Sequence, residues 1–300
     1  MTRSKPHTAA DGRAALYIAV LALVLLALAL LSFVLGRYDV PFVQVVRILL
    51  SRVVPLEKTW TDNMAAAVLN VRLPRILLAG LVGCALSAAG TAYQSVFRNP
   101  MAAPDILGAS SGACFGAALA ILLGLVRLGV TALAFAASLA TVALVYVLAR
   151  RIRGNQVVNL LLAGIMISSL FSAGTSYIKL VADPTNQLPA ITYWLMGSLS
   201  GARMKDVGFA LLPMALGLVP LLLLRWRINL LTLSEEEARS MGVNTRLLRL
   251  AVILCATVLT AASVSVSGMI GWVGLVIPHL SRKLLGSDCR RLLPAAMLLG

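Results

Sequence analysis

Long apolar stretches without a charged side chain make up most of the sequence, and short polar segments separate them. Seven of these stretches reach the roughly 18 residues that suggest a membrane-crossing helix. They are Ala14–Gly36, Ile76–Phe97, Ile106–Val126, Leu128–Ala149, Gly154–Ile178, Val207–Leu224 and Ala251–Ser281. This pattern predicts an all-α, polytopic transmembrane helical bundle, with residues 1–13 as a tail and 14–300 as a single membrane domain.

Two stretches depart from this simple picture. Ala251–Ser281 is long for one span and short for two. Its glycine-rich middle predicts two short helices that are separated near Gly268–Gly271. The last nine residues, Leu292–Gly300, begin another span but are too few to cross. We therefore expect about eight complete spans and a truncated C-terminus.

Charge is scarce and lies between the spans. Charged residues make up 12% of the chain, whereas a soluble domain has roughly 25%. The net charge of +15 therefore indicates membrane orientation, and nucleic-acid binding is not expected. With the tail in the cytoplasm, sixteen of the 26 Lys and Arg residues fall on the cytoplasmic side. The positive-inside rule thus places the N-terminus inside, and two polar segments outside. These are Gly36–Arg75, a long loop, and Ala182–Asp206.

The most polar cytoplasmic segment predicts a short helix that caps itself. Ser234 and Glu237 have the spacing of a capping box. Glu235, Glu236 and Glu237 suit the positive end of a helix dipole. Glu235 and Arg239 stand four residues apart in the favourable order. Such a helix between two spans offers a charged surface to another protein.

The same segment carries the signals that end one helix and begin the next. Gly242 is placed to end the short helix as its first left-handed residue. Asn244 or Thr245 can cap the following helix. We therefore expect residues 233–249 to form one cytoplasmic connection.

Small and polar residues inside the spans allow two interpretations. Gly108, Gly112 and Gly116 follow one another at four-residue spacing, which permits close helix contact on one face. They serve either tight packing alone or a small-residue wall along a pathway. Asn159 is followed by Ser169, Ser172 and Ser176 near helical spacing, a pattern that fits either a wet face or hydrogen bonds between helices.

A polar break between two spans begins at Arg98. Pro100 and Pro104 prevent the helix from continuing, and Asp105 can cap the next one. The break is a structural corner, and its cytoplasmic position also leaves it accessible to a partner.

Several functions lack their chemistry in this sequence. No ionisable residue sits in the middle of a predicted span, although a proton- or ion-coupled carrier usually needs one. The chain has no phosphate-binding loop of the G-x-x-x-x-G-K-[ST] type. The four cysteines and two histidines lack metal-ligand spacing, and no acid–base set converges for an intramembrane enzyme. We expect no cofactor and an energy source on another polypeptide.

Five motifs together resemble the FecCD (BtuC-like) permeases, the membrane subunits of type II ABC importers for iron–siderophores, haem and cobalamin. The resemblance as a whole covers about residues 14–300 in the family's order. The motifs are VRLPR at Val71–Arg75, QSVFRNPMAAPDILGASSGA at Gln94–Ala113, YWLMGSLSG at Tyr193–Gly201, LSEEEARSMGVN at Leu233–Asn244 and GMIGWVGLVIPHLSRKLLG at Gly268–Gly286.

The resemblance implies ten spans, two permease subunits around a pathway, two cytoplasmic ATPases and an external binding protein. It implies that the segment from Ser234 to Gly242 is the coupling helix seated on the ATPase. Arg72 and Arg75 would face acidic residues of the binding protein. The family's last helix and the outer loop before it have no counterpart in these 300 residues.

These observations predict a multi-pass permease subunit of the cytoplasmic (inner) membrane that imports a ferric siderophore or related metal chelate. Cobalamin and haem are the alternative substrates, and a secondary transporter is the competing class. The expected partners are two ABC ATPase subunits, a second permease subunit as homodimer or heterodimer, an extracytoplasmic substrate-binding protein and membrane lipid.

Overall fold

The computed structural model describes residues 7–233 and 235–300, without the side chains of residues 7–11, 13, 235, 236 and 239. Within this part the chain is helical and contains no strand, so the predicted all-α class is confirmed. The α-helices are α1 (His7–Val34), α2 (Phe42–Leu50), α3 (Asp62–Ala66), α4 (Leu73–Phe97), α5 (Ala109–Leu122), α6 (Arg127–Arg151), α7 (Gln156–Val181), α8 (Gln187–Leu195), α9 (Met204–Ile228), α10 (Glu235–Ser240), α11 (Thr245–Ser267), α12 (Val273–Leu285) and α13 (Cys289–Leu299).

Helix α4 forms the centre of the bundle. It contacts α9, α11, α12 and α13, and almost every side chain from its middle to its C-terminal end is buried. Small residues make this possible, because a Cβ atom at Gly83 or Gly90 would overlap the backbone of Gly300 or Gly274. The buried hydroxyl groups of Tyr93 and Thr257 lie 2.9 Å apart and join α4 to α11.

Six helical segments of the described chain are long and apolar enough to cross a membrane. They are Ala14–Val34, Asp62–Phe97, Arg127–Arg151, Gln156–Val181, Met204–Thr232 and Thr245–Ser267. Helix α5 has 14 residues and α12 has 13, which is shorter than a complete crossing requires. The expected number of about eight complete spans is therefore not confirmed by helix length.

The predicted interruption of the long apolar stretch 251–281 is confirmed. Helix α11 ends at Ser267, and Gly268 adopts a left-handed φ of 69°. Helix α12 starts at Val273, directly after Trp272, which also has a φ of 69°. A left-handed conformation is rare for a bulky residue, so the break is imposed by tertiary packing as well as by glycine.

The prediction that Gly36–Arg75 is one long loop is wrong. This segment contains α2 and α3, and a π-helical turn, Ala67–Arg72, joins α3 directly to α4. The result is one helical segment of 36 residues, Asp62–Phe97. A π-helical turn inserts an extra residue into the helix, a feature that hydrophobic periodicity does not reveal.

The stretch Ile106–Val126 does not form a single helix that begins at Ile106. A 3-10 helix covers Pro104–Leu107, and Gly108 follows with a left-handed φ of 76°. Asp105 accepts a hydrogen bond from the backbone N–H of Ser110 at 3.2 Å, which agrees with its predicted capping role. The predicted stack of three glycines on one helix is therefore wrong at Gly108, which precedes α5.

Candidate functional site

The cytoplasmic connection predicted at residues 233–249 contains a short helix, α10, between α9 and α11. Ala238 is fully buried and anchors this helix. Gly242 has a φ of 75° and ends it, as predicted. The side-chain oxygen of Asn244 then accepts a hydrogen bond from the N–H of Leu247 at 3.2 Å and caps α11. Of the two predicted caps, Asn244 provides the bond.

Part of the predicted charge pattern falls outside the described residues. Ser234 lies outside them, and so do the side chains of Glu235, Glu236 and Arg239. The capping box and the Glu–Arg pair therefore remain predictions. Glu237 has an exposed side chain, so this face of the helix lies at the surface of the bundle.

The resemblance implies that Arg72 and Arg75 both face the binding protein, but their side chains lie in different environments. Arg72 is only 9% exposed, and its guanidinium donates to the carbonyl oxygens of Phe33, Val34 and Tyr38. These carbonyls lie at and beyond the C-terminus of α1, where a cation is favoured by the helix dipole. Arg75 is exposed. The expectation of a shared outward face is therefore wrong for Arg72.

Arg75 lies at the same end of the bundle as the segment after α8. A hydrogen bond of 3.0 Å to Ser200 is the main cause that lowers the pKa of Tyr193, and the positive charge of Arg75 adds to this effect. Arg75 stands in the first turn of α4, whereas Arg98 ends that helix, beside the segment that leads into α10. Because α4 has 25 residues, it is roughly 37 Å long. The two predicted contact surfaces thus lie at opposite ends of the central helix.

Two glycines allow the segment after α8 to pack closely against the connection between α11 and α12. A Cβ atom at Gly197 would overlap the carbonyl oxygen of Met269, and one at Gly268 would overlap that of Trp194. The N–H of Ser198 donates to the carbonyl oxygen of Ser267 at 2.7 Å. The sequence showed glycine at both positions, but their contact joins distant parts of the chain and has no local signal.

The remaining glycines of the predicted stack serve close packing of α5 on α6. A Cβ atom at Gly112 would overlap Thr141 and lie 3.0 Å from the carbonyl oxygen of Ala137. A Cβ atom at Gly116 would lie 2.7 Å from the carbonyl oxygen of Leu133. The backbone of α5 at these glycines therefore packs directly against side chains and carbonyl groups of α6. The packing interpretation applies to these two glycines.

The serines of α7 form an exposed strip, whereas Asn159 does not belong to it. Ser169, Ser172 and Ser176 are exposed, and Ser169 and Ser176 donate to carbonyl oxygens one turn earlier in their own helix. Asn159 is buried and donates to the carbonyl oxygen of Ile152 at 2.9 Å. The polar face is thus shorter than predicted. Within the described part of the chain, the hydrogen bonds that these exposed serines donate stay within α7.

Metal-binding groups do not converge in the described part of the chain. Among the residues of 7–233 and 235–300 that the structure describes, no group of three His, Cys, Asp or Glu side chains could hold a metal ion.

The fold and these surfaces define a class: a multi-pass helical membrane protein with a charged helix at one end. The FecCD transport family matches residues 23–300. This chain belongs to that family and is a permease subunit of an ABC importer.

Individual relatives agree with this assignment. A probable iron chelatin transport system permease protein of Helicobacter pylori is 44% identical over 243 residues, covering 80% of this chain and 72% of that protein. The molybdate import system permease protein MolB of Haemophilus influenzae is 39% identical over 280 residues, covering 93% and 82%. A solved inward-facing structure of a metal-chelate type ABC transporter superposes with a TM-score of 0.83 and 37% identity, covering 94% of this chain and 85% of that one.

Proposed function

We propose that this permease imports a ferric siderophore or a related metal chelate into the cytoplasm. The observation that carries the proposal is the family match over residues 23–300 together with the metal-chelate transporter that superposes on 94% of the chain. A preformed chelate also suits a bundle whose described residues offer no cluster of metal ligands. Iron would therefore cross with its coordination sphere filled by the siderophore.

ATP hydrolysis on two separate ATPase subunits would drive this import. Helix α10 would dock on the ATPase, because it is short, charged and anchored to the bundle by the buried Ala238. The N-terminus and residues 233–249 would then both face the cytoplasm, as the positive-inside rule predicts. Arg75 would face an extracytoplasmic binding protein at the opposite end of α4.

A second permease subunit would complete the pathway. The exposed strip of Ser169, Ser172 and Ser176 on α7 lies among exposed apolar side chains such as Ile165 and Met166. Small polar side chains are enriched where membrane helices contact one another, so we place this strip against the partner subunit and the pathway. The partner would be either a second copy of this chain or a similar permease, and lipid would surround the pair.

Uptake by cells tests the proposal. A strain that lacks its own copy of this permease receives the gene together with its ATPase and binding protein. We expect it to accumulate radio-iron supplied on a hydroxamate siderophore. Haem, cobalamin and molybdate serve as competing cargoes in parallel cultures. Accumulation of one of these, with no gain for the ferric siderophore, would contradict the proposed substrate and identify another.

A further inference from the structure

The segment that leads into α10 is fastened to the central helix by one arginine. The Arg98 Nε–H donates to the carbonyl oxygen of Leu231 at 2.8 Å, and its Nη2 donates to the carbonyl oxygen of Leu233. Leu233 is the last described residue before Ser234 and α10. Two bonds from one planar guanidinium fix a direction as well as a distance.

The backbone at Arg98 is held in an uncommon conformation. Arg98 is the residue that ends α4, and it has a left-handed φ of 51° and ψ of 33°. A non-glycine residue in this region is uncommon and strained unless the surroundings hold it. The conformation turns the side chain from the end of α4 towards residues 231–233. Glycine could end the helix at this position without strain. We therefore attribute the role of Arg98 to the hydrogen bonds of its side chain.

The hydrogen bonds from Arg98 form a first clasp on the turn of residues 229–233 that precedes α10. A second clasp, made by Asn229, holds the start of this turn. Asn229 opens the 3-10 helix Asn229–Thr232. Its side-chain amide donates to Asp288 Oδ1 at 2.7 Å, and its side-chain oxygen accepts from the N–H of Cys289 at 2.8 Å. Asp288 caps α13. Both of these contacts are partly buried, and they are independent of Arg98.

The turn before α10 is therefore tied at both ends to helices that pack on each other. Asn229 connects it to α13, Arg98 connects it to α4, and α4 contacts α13 directly. The two clasps restrain bending at residues 229–233, so this turn offers a mechanical link between α10 and the bundle. A displacement of α10 that is passed on through this turn would act on α4 and α13.

We infer that Arg98 is a positioning residue for energy coupling: it transmits movement of α10 to the central helix α4, with Asn229 as the second point of attachment. The inference rests on the proposed docking of α10 on an ATPase. Arg98 need not touch the ATPase or the cargo, and its effect is exerted through residues 231–233. Its loss should therefore separate ATP hydrolysis from import, and leave the assembly of the complex intact.

The test measures ATP hydrolysed per chelate imported by the full complex of permease, ATPase and binding protein. Arg98→Asn is the main variant, because asparagine tolerates the left-handed conformation but is too short to reach residues 231–233. We expect normal copurification of the ATPase, continued hydrolysis, and uptake of the radio-iron siderophore lowered roughly two- to thirtyfold. Arg98→Lys should give an intermediate loss, since an ammonium group cannot reproduce the two-pronged contact.

Two further variants make the result decisive. Asn229→Ala breaks the second clasp at a different site, and it should raise the ATP cost of import in the same direction. Arg153→Gln removes an exposed cation between α6 and α7 and should leave the ratio unchanged. Unchanged ratios in both Arg98→Asn and Asn229→Ala would overturn the inference. A parallel loss of complex, hydrolysis and uptake in both would also overturn it, since that result indicates a folding role alone.

A different result is expected if α10 does not dock on the ATPase at all. If the double variant Glu236→Lys, Glu237→Lys imports at the normal rate, the docking of α10 is wrong whatever Arg98 does. If that variant is uncoupled and Arg98→Asn is not, only the inference about Arg98 fails.

Discussion

Arg75 and Arg72 show how two similar residues three positions apart acquire different tasks. Arg75 is exposed and remains the candidate contact for a binding protein. We expect Arg75→Glu to weaken docking of that protein to the purified complex in nanodiscs. A single exposed charge pair contributes about 0–1 kcal/mol, so the defect should be modest in equilibrium binding. It should be clearer in the association rate at low salt. An unchanged association rate would contradict this role.

Arg72 should instead affect stability. Its guanidinium satisfies carbonyl oxygens at the end of α1, and leaving buried acceptors without a donor costs about 1–3 kcal/mol. We expect Arg72→Ala to lower the melting temperature of the purified permease, and Arg75→Ala to leave it nearly unchanged. Equal melting temperatures for the two variants would show that the bonds to α1 contribute little.

Gly112 tests the close approach of α5 and α6 at the scale of one side chain. A Cβ atom there would overlap Thr141, and overpacking of this kind typically costs about 1–3 kcal/mol. We expect Gly112→Leu to lose transport and part of the assembled complex. Gly208→Leu is the matched control, because nothing lies within 4 Å of a Cβ atom at Gly208.

At the scale of elements, the start of α13 depends on a charged cap. Burial would raise the pKa of Asp288, but hydrogen bonds from Arg290 and Asn229 outweigh it and hold the pKa at about 2. A depressed pKa means that the carboxylate stabilises the fold above the unfolded value of 3.8 and loses this contribution as pH falls through about 2. Near neutral pH the contribution should therefore be complete and constant.

Replacing this cap separates its hydrogen bonds from its charge. Asp288→Ala should lower stability by about 0.5–2 kcal/mol, the usual cost of losing an N-cap. Asp288→Asn keeps a capping oxygen and should retain most of the stability at neutral pH. Thermal unfolding in detergent at pH 7 measures both. The assignment fails if the two variants unfold at the same temperature.

Local signals were sufficient to predict several elements. The end of α10 at Gly242, the cap at Asn244 and the interruption at Gly268 all follow from one residue and its neighbours. The burial of Arg72 could not be predicted, because its acceptors belong to a distant part of the chain. The clasps of Arg98 and Asn229 were missed for the same reason: each joins helix ends that only the packed bundle brings together.

For the whole molecule, the orientation in the membrane is a direct prediction of the charge distribution. We expect alkaline phosphatase to be active when it is fused after Asn186, before α8, and inactive when it is fused after Gly242. The enzyme works only outside the cytoplasm, so the reverse pattern would invert the orientation and remove α10 from reach of a cytoplasmic ATPase.

We expect this chain to transport cargo only with energy from ATP, delivered through α10. The most direct measurement is uptake of radio-iron siderophore into proteoliposomes that contain the permease, its ATPase and its binding protein. We expect uptake only when ATP is present on the ATPase side, and none from a proton or sodium gradient alone. Uptake driven by such a gradient without ATP would instead identify a secondary transporter.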